Sequence, residues 1–573
     1  SLLTYADVRK RGEQVARVTS MRYMPPWPPE PGHGDLAGAR RLGDEQIAMI
    51  QAWVRDGMPE GPPATAPPPP AFTEGWQLGP PDLVIETTAA YTVPAEGRDV
   101  FRNFVLPTPL GEARYVRAME LRPGDKRVVH HASVLLDRSG AARRRDAAEP
   151  GPGFEGMDVE LESDSFAPDS HFLFWKPGTA AVTEPEGMAW TLEEGMDLVL
   201  NLHLQPSGKP ERIRPAVGLY FTEKAPTRFP MLLQLEHDGA IDIPPGAADF
   251  VVTDHYRLPV DVEVLGIYPH AHYVGKDVQG FAVRPDGRKE WLVWIRDWDF
   301  AWQAVYRLAR PLPLPRGSVL HMRIAYDNSE ANPRNPSHPP RRVVAGNRST
   351  DEMGHLWVQV VPSRREDRWA LQEAAMRRRL EKYPGDFVAH ANLGAALEAR
   401  GGAAEAMEQY RLALLARPES AAVLNNMGAA LQSAGDLAGA VRAYTRAVRA
   451  EPDYASARHN LGGALVLEGA FAEAVPHLRE AVRLSPSDAV ARNNLGGALL
   501  QTGRLAEAVA HLTRAVESDP GSLNARFNLG RALALQGRLA EAARHLEEAV
   551  RIAPGDPDAR QELEAVRARL RGR

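Results

Sequence analysis

Six prolines, Pro384, Pro418, Pro452, Pro486, Pro520 and Pro554, stand 34 residues apart, and an Asn-Leu/Met-Gly element keeps the same phase at Asn392, Asn426, Asn460, Asn494 and Asn528. Between the prolines the apolar residues follow two amphipathic helical patterns. A helix pair of that size cannot bury its own apolar face, so successive pairs must stack into an open-ended helical array. Gly394 and its equivalents allow helices to approach closely, and Ala406 and Ala413 with their counterparts fill small-residue positions. This feature commits residues 363–573 to an all-α superhelix.

The period, the glycine and the terminal proline resemble the tetratricopeptide repeat, over five full repeats and a final helix. The resemblance implies a concave face that binds a protein or peptide. On it Asn392, Asn426, Asn460, Asn494 and Asn528 would form a ladder of amides gripping an extended backbone. Alternatively, asparagine simply suits that helix-packing position.

The remaining 362 residues differ in texture. Residues 1–62 carry helical patterns near Thr4–Val18 and Asp44–Asp56, joined by the proline-rich MPPWPPEPGHG. Residues 63–80 continue a polyproline stretch that reads as a semi-rigid linker. From 81 to 362 short alternating apolar runs are broken by glycine and proline turns, the mark of antiparallel β-structure. That span suits two sandwiches of jelly-roll type, 81–224 and 225–362. The net charge of -6 includes no basic stripe, which gives nucleic-acid binding no electrostatic support. No apolar run approaches the ~18 residues of a membrane span. There is no cysteine, so disulfides, thiolate metal sites, Cys nucleophiles and haem attachment within this sequence are excluded. The sequence opens on Ser1 within a helical pattern, so a trimmed leader and a periplasmic or extracellular location are expected.

Within the β region, YPHAHYVG places His270 and His272 two residues apart on a strand, hence on one face a few ångströms apart. Two crowded imidazoles are costly unless something joins them, and a metal ion is the usual reason. Further candidates are His130 and His131 in VVHHASVLL, His203 in LVLNLHLQ after WKPGTA, and Met353 in STDEMGHLW. Adjacent strand residues face opposite ways, so His130 and His131 reach one ion only where the strand bulges or twists, or if different ring nitrogens bind. Met322 is the second choice for a thioether. His171, His255, His321 and His338 receive no role.

The order HH…H…HxH…DEM resembles the copper type II, ascorbate-dependent monooxygenases, the peptidylglycine α-hydroxylating and dopamine β-hydroxylating family, over roughly residues 95–362. Imidazole suits copper, and a thioether favours its reduced state. The resemblance implies two copper ions. His130, His131 and His203 would hold one that receives electrons from ascorbate. His270, His272 and Met353 would hold the other, which binds dioxygen beside a substrate C–H bond. One oxygen atom then ends in a hydroxyl group and the other in water. The implied arrangement has one complete site on each sandwich, facing the other across a cleft.

Departures qualify the substrate. The peptidylglycine enzymes place an arginine two residues before the first HxH histidine to bind a peptide carboxylate, and here that residue is Tyr268. Their asparagine and tyrosine after the methionine are replaced by His355 and Trp357. Tyr268, His355 and Trp357 would therefore line a pocket for an apolar or aromatic small molecule, although the aromatics could equally be core. Residues 1–62 resemble the C-terminal half of a class I cytochrome c, with Met24 as the axial ligand. Haem c is expected only if a CxxCH motif lies upstream in a parent chain; otherwise the domain has lost its haem. The competing reading of the whole is a non-catalytic copper-binding scaffold acting through its repeats.

Overall fold

The computed structural model describes residues 4–25, 27–62, 75–97, 99–137, 140–156, 171, 173–176, 181–348 and 350–572. Most of the expected linker, and the part of WKPGTA after Lys176, lie outside them. The chain divides into two compact units, Ser1–Lys382 and Tyr383–Arg573.

In the first unit, residues 83–222 build two main sheets. One carries, in spatial order, Phe154–Glu155, Val100–Pro107, Asp197–Leu204, Val129–Asp137 and Phe174–Trp175. The other is built from Leu83–Glu86, Ala216–Thr222, Arg114–Arg122 and Val182–Thr183, with Trp190–Leu192 also paired to Arg114–Arg122. The core between them includes Leu106, Leu198, Leu200, Leu202, Leu219 and Trp190. Asp197–Leu204 is buried along its whole length, because Ala142 of the helix Ala141–Ala148 packs with Val105 and Val199 on the face away from that core. A polar group in such a strand must be bonded or it destabilises the fold. Asp197 meets Arg143 at 2.7 Å, Asn201 donates to Asn103 at 2.6 Å, and His203 meets Asp99 at 2.8 Å.

Residues 231–362 form a second pair of sheets, Met231–Glu236, Gly354–Pro362, Val262–Ala271 and Tyr306–Leu314 against Phe250–Arg257, Val319–Tyr326, Gly275–Val283 and Lys289–Ile295. Ile267 and Ala271 point into the core, which leaves Tyr268 and His270 on the opposite face. Met188, Leu265 and Val361 join the two halves in an apolar contact. The N-terminal helices Tyr5–Arg9, Gly12–Ser20 and Asp44–Arg55 are connected by a segment that lies against the second half. There Leu36 bridges Leu308, Glu30 N–H donates to the Trp294 carbonyl at 2.7 Å, and Trp27 packs edge-on to Tyr306 at 5.6 Å. Met24 is 40 % exposed and lines a cavity of about 270 Å³ with Tyr23, Trp27 and Trp302.

The boundary between the units falls 20 residues later than the start of the repeat region at 363, after Lys382. The helix Asp367–Lys382 belongs with the β-structure, for a clear electrostatic reason. The Lys382 ammonium is buried against Asp254 at 2.9 Å and Glu236 at 3.1 Å, Arg378 reaches Asp254 at 2.7 Å, and Tyr256 donates to the Leu371 carbonyl at 2.7 Å. Burial alone would raise the Asp254 carboxyl, but Lys382 and Arg378 hold it below its ordinary range.

The second unit is a run of helix pairs from Phe387–Ala399 and Ala403–Ala416 to Leu523–Leu535 and Leu539–Ile552, closed by Pro557–Arg571. Two residues after most prolines an Asp or Ser caps the next helix: Asp386, Ser420, Asp488, Ser522 and Asp556 each accept from the third helical N–H. A Cβ at Gly394 would stand 2.4 Å from Tyr410, and one at Gly462 2.5 Å from Leu478. That close approach is why the period carries glycine. Among the described residues no helix is long and apolar enough to cross a membrane.

Replacing Lys382 with alanine leaves Asp254 and Glu236 buried beside one fewer cation. We expect a loss of about 3–5 kcal/mol from the first unit, measured by urea unfolding followed by tryptophan fluorescence. A change under about 1 kcal/mol would contradict this account of the helix.

Candidate metal centres

The first donor set depends on strand register. Val129–Asp137 pairs with Asp197–Leu204 so that His131 stands opposite His203, but Leu204 stands opposite Val129. His130 is therefore the extra residue of a bulge, the local irregularity that adjacent histidines required. It brings the two neighbouring imidazoles together, with 3.1 Å between the Nδ1 atoms of His130 and His131. Ring centroids lie 4.9 Å apart for His130 and His203 and 4.8 Å apart for His131 and His203. One ring nitrogen from each of the three falls within 4.8 Å of the others.

Asp99 and Phe101 orient the third ring. His203 Nε2 contacts the Asp99 carboxylate at 2.8 Å, and Phe101 stacks on the imidazole at 4.4 Å. With the Nε2 proton committed to Asp99, His203 Nδ1 carries the lone pair, and it is buried without a hydrogen-bond partner. The hydrogen bond from His203 holds the Asp99 carboxyl below its ordinary range. Burial lowers His130 to about 4 and His131 well below the usual imidazole range, with the neighbouring His203 adding to both shifts. Three converging imidazoles, with His130 and His131 kept neutral by burial and His203 Nδ1 without a hydrogen-bond partner, fit a borderline metal ion such as copper.

The second set lies on the face of Val262–Ala271 away from its core. The register with Gly354–Pro362 places Tyr268 opposite Trp357 and His270 opposite His355. His270 Nδ1 contacts Gln303 Oε1 at 2.6 Å, and His272 Nδ1 contacts the Asp351 carbonyl at 3.0 Å. Both Nδ1 atoms are thus donors, leaving Nε2 of each ring as the nitrogen available to a metal. The rings are perpendicular, with centroids 5.1 Å apart. Burial lowers His270 well below, and His272 below, the ordinary imidazole value.

Met353 directly precedes Gly354, the residue paired with Ala271, so its backbone lies level with His272. One carboxylate ties them: Glu352 accepts from the backbone N–H groups of His272 and Met353 through Oε1, and from Val274 at 3.2 Å through Oε2. Glu352 is fully buried, and burial raises it to about 8 despite those donors. Tyr326 Oη donates to the Met353 carbonyl at 3.0 Å. Met322, the other candidate thioether, sits in the opposite sheet and in the core.

Tyr268 and Trp357 stack at 5.3 Å, His355 lies edge-on to Trp357 at 4.9 Å, and His355 Nε2 meets Asp238 at 2.7 Å. Aromatic rings contact residues of both donor sets. Phe300 touches His130 and His272, and Phe174 lies between His131 and Tyr268. In the repeats Asn460 donates to Asn425 at 2.9 Å, Asn528 donates to Asn493 at 3.0 Å, and Asn494 contacts His459 at 3.4 Å. These amides brace one repeat against the one before; Asn392 and Asn426 hold the same place in their own helices. Asp99, Gln303, Glu352 and Phe300 were not singled out from the sequence. Only Glu352, inside DEM, carried any signal.

Residues 231–365 match the family model described as copper type II ascorbate-dependent monooxygenase, C-terminal domain. Residues 425–489, 471–522 and 493–557 match a tetratricopeptide repeat model. No curated protein matches the chain. Among solved structures, similarity extends to YrrB, a TPR protein with an unusual peptide-binding site, at 25 % identity over 33 % of this chain and 97 % of that one, with a TM-score of 0.31. MamA from Desulfovibrio magneticus RS-1 is 23 % identical over 30 % of this chain and 97 % of its own, with a TM-score of 0.28. Pseudomonas aeruginosa pilF is 21 % identical over 34 % and 89 %, with a TM-score of 0.32. The matches to the copper monooxygenase C-terminal domain and to tetratricopeptide repeats thus fall on separate parts of the chain.

Two expectations follow. Reconstituted protein should hold two copper ions by elemental analysis, and His203→Ala should hold one. Asp99→Ala, which frees the His203 ring, should weaken copper binding at that site by about 10- to 100-fold in a competitive chelator titration. Unchanged affinity would contradict the orienting role of Asp99.

Proposed function

We propose that the β unit is a dicopper monooxygenase that hydroxylates a C–H bond of a small apolar or aromatic substrate, using dioxygen and an ascorbate-type reductant, and that the repeats bind a protein or peptide partner. The observation that carries this reading is the pairing of two unlike donor sets: three imidazoles on one sandwich, two imidazoles with a neighbouring thioether residue on the other. Imidazole alone tolerates both copper oxidation states, whereas a thioether favours the reduced one. Copper, when bound, would supply the electron transfer and dioxygen chemistry.

The chain's own residues prepare the sites. Asp99 and Gln303 fix tautomers, so that the ring nitrogen facing each centre is unprotonated. Burial keeps His130, His131, His270 and His272 neutral, so metal binding displaces few protons at neutral pH. Glu352 fixes the backbones of His272 and Met353 together, which limits how far the thioether can stray from the imidazole. Tyr268 and Trp357 offer a flat apolar wall beside His270, in keeping with a substrate that lacks a carboxylate. In the repeats, Asn460, Asn494 and Asn528 keep acceptor capacity beyond their bonds to the preceding repeat, which supports a groove for an extended chain.

The copper-loaded protein should consume dioxygen when given ascorbate and a candidate aromatic substrate, incorporating one atom of labelled oxygen into product. Met353→Ala should retain the fold by circular dichroism yet lose on the order of 100-fold or more in turnover, comparable to loss of a metal-site residue. Two bound coppers without reductant-dependent oxygen uptake would favour the non-catalytic scaffold instead.

A further inference from the structure

His171 and Glu184 belong to neither donor set. His171 stands just before the edge strand Phe174–Trp175. Its carbonyl accepts from Leu173 N–H at 3.0 Å, and the Leu173 carbonyl accepts from Val134 N–H of Val129–Asp137 at 2.9 Å. Glu184 directly follows Val182–Thr183, the end strand of the other sheet, and its N–H donates to the Arg117 carbonyl at 2.9 Å. The two side chains thus meet across one edge of the first sandwich. They are almost wholly enclosed, with 3 % of the His171 side chain and 1 % of the Glu184 side chain exposed. His171 Nδ1 stands 3.1 Å from Glu184 Oε2, yet the contact is not aligned as a hydrogen bond. Nδ1 and both carboxylate oxygens are buried without a hydrogen-bond partner.

We propose that His171 and Glu184 hold a divalent first-row ion such as zinc, which ties the two sheets of the first sandwich together. Three buried polar atoms in one residue pair, with no hydrogen bond to any of them, destabilise a fold unless a cation compensates. Two ligands each ~2.0–2.2 Å from one zinc ion stand roughly 3–3.5 Å apart. The 3.1 Å spacing of Nδ1 and Oε2 matches that, whereas a hydrogen bond would need Nδ1–H to point at the oxygen. The same 3.1 Å separates the Nδ1 atoms of His130 and His131 in the first donor set. An imidazole nitrogen beside a carboxylate suits zinc rather than calcium or magnesium, which take oxygen donors. In a chain without cysteine such an ion takes the part of a cross-link, because its binding energy is also folding energy. Phe174, which packs on His131, lies on the strand so anchored.

The test is equilibrium dialysis of the full chain, preloaded with two equivalents of Cu(II), against zinc sulfate, with bound zinc and copper measured by elemental analysis. Cu(II) binds nitrogen donors more tightly than zinc does, so zinc does not displace it and reports other sites. Wild-type protein should bind one more zinc per chain than Glu184→Gln or His171→Gln. Zinc should also raise the wild-type Tm by several degrees and leave the Tm of both variants unchanged. Should Glu184→Gln fail to fold, His171→Gln gives the same comparison. An equal zinc count in wild type and a folded variant, adventitious zinc only, would overturn the site, as would an equal rise in Tm. Copper is counted in the same samples. Fewer than two coppers in the wild type would count against the dicopper reading, while the difference in zinc between wild type and variant still decides this site.

Discussion

The bulge at His130 is the constraint on which the first centre depends. In a regular ladder one of two adjacent histidines would face away, and the site would have two ligands on one face and a buried imidazole on the other. The single-residue slip between the His131–His203 pair and the Leu204–Val129 pair rotates His130 to its neighbour's side. Bulges disrupt a ladder, so this one must sit where the surrounding strands hold it. Its partner strand, Asp197–Leu204, is buried end to end and hydrogen-bonded to a strand on either side, the most constrained place in that sandwich.

The same logic of burial governs the electrostatics. Histidine next to histidine would repel if charged, yet desolvation keeps His130, His131, His270 and His272 neutral at neutral pH. The negative groups are placed one step back. Asp99 touches a ring rather than the centre, and Glu352 touches backbone N–H groups. Each fixes geometry from outside the cluster of candidate donors. A chain without cysteine has no thiolate with which to build a soft site, and Met353 is the candidate soft donor whose backbone lies level with His272.

Legibility from sequence followed periodicity. The 34-residue repeat and its glycines could be read because one small residue recurs wherever helices touch, as the clash of a Cβ at Gly394 with Tyr410 shows. The pairing of His270 with His272 was legible from the two-residue alternation of a strand, and the need for a bulge at His130 followed from the same rule. Asp99, Gln303 and Phe300 were not legible. They lie in connecting segments or at a strand's start, with no period to mark them, and reach the histidines only through tertiary contacts 33 to 104 residues apart in sequence for Gln303 and Asp99. The helix Asp367–Lys382 misled for a related reason. Its sequence is helical and adjoins helices, and only the buried Lys382–Asp254 contact reveals that it belongs to the β unit.

The absence of disulfides sharpens the question of how two sandwiches keep two ligand sets in register with each other. Met188 packs against Leu265 and Val361 at one point of their junction, and the aromatic layer of Phe174, Tyr268 and Phe300 fills another. Aromatic rings are stiff, with two side-chain torsions each, so a gap they fill is defined more sharply than one filled by aliphatic chains. Phe174 comes from the first sandwich and touches His131 and Tyr268; Phe300 comes from the second and touches His130 and His272. Phe300 thus meets a histidine of the other half, His130, while Phe174 meets its own half's His131 and the other half's Tyr268. These rings tie residues of one donor set to residues of the other by direct packing.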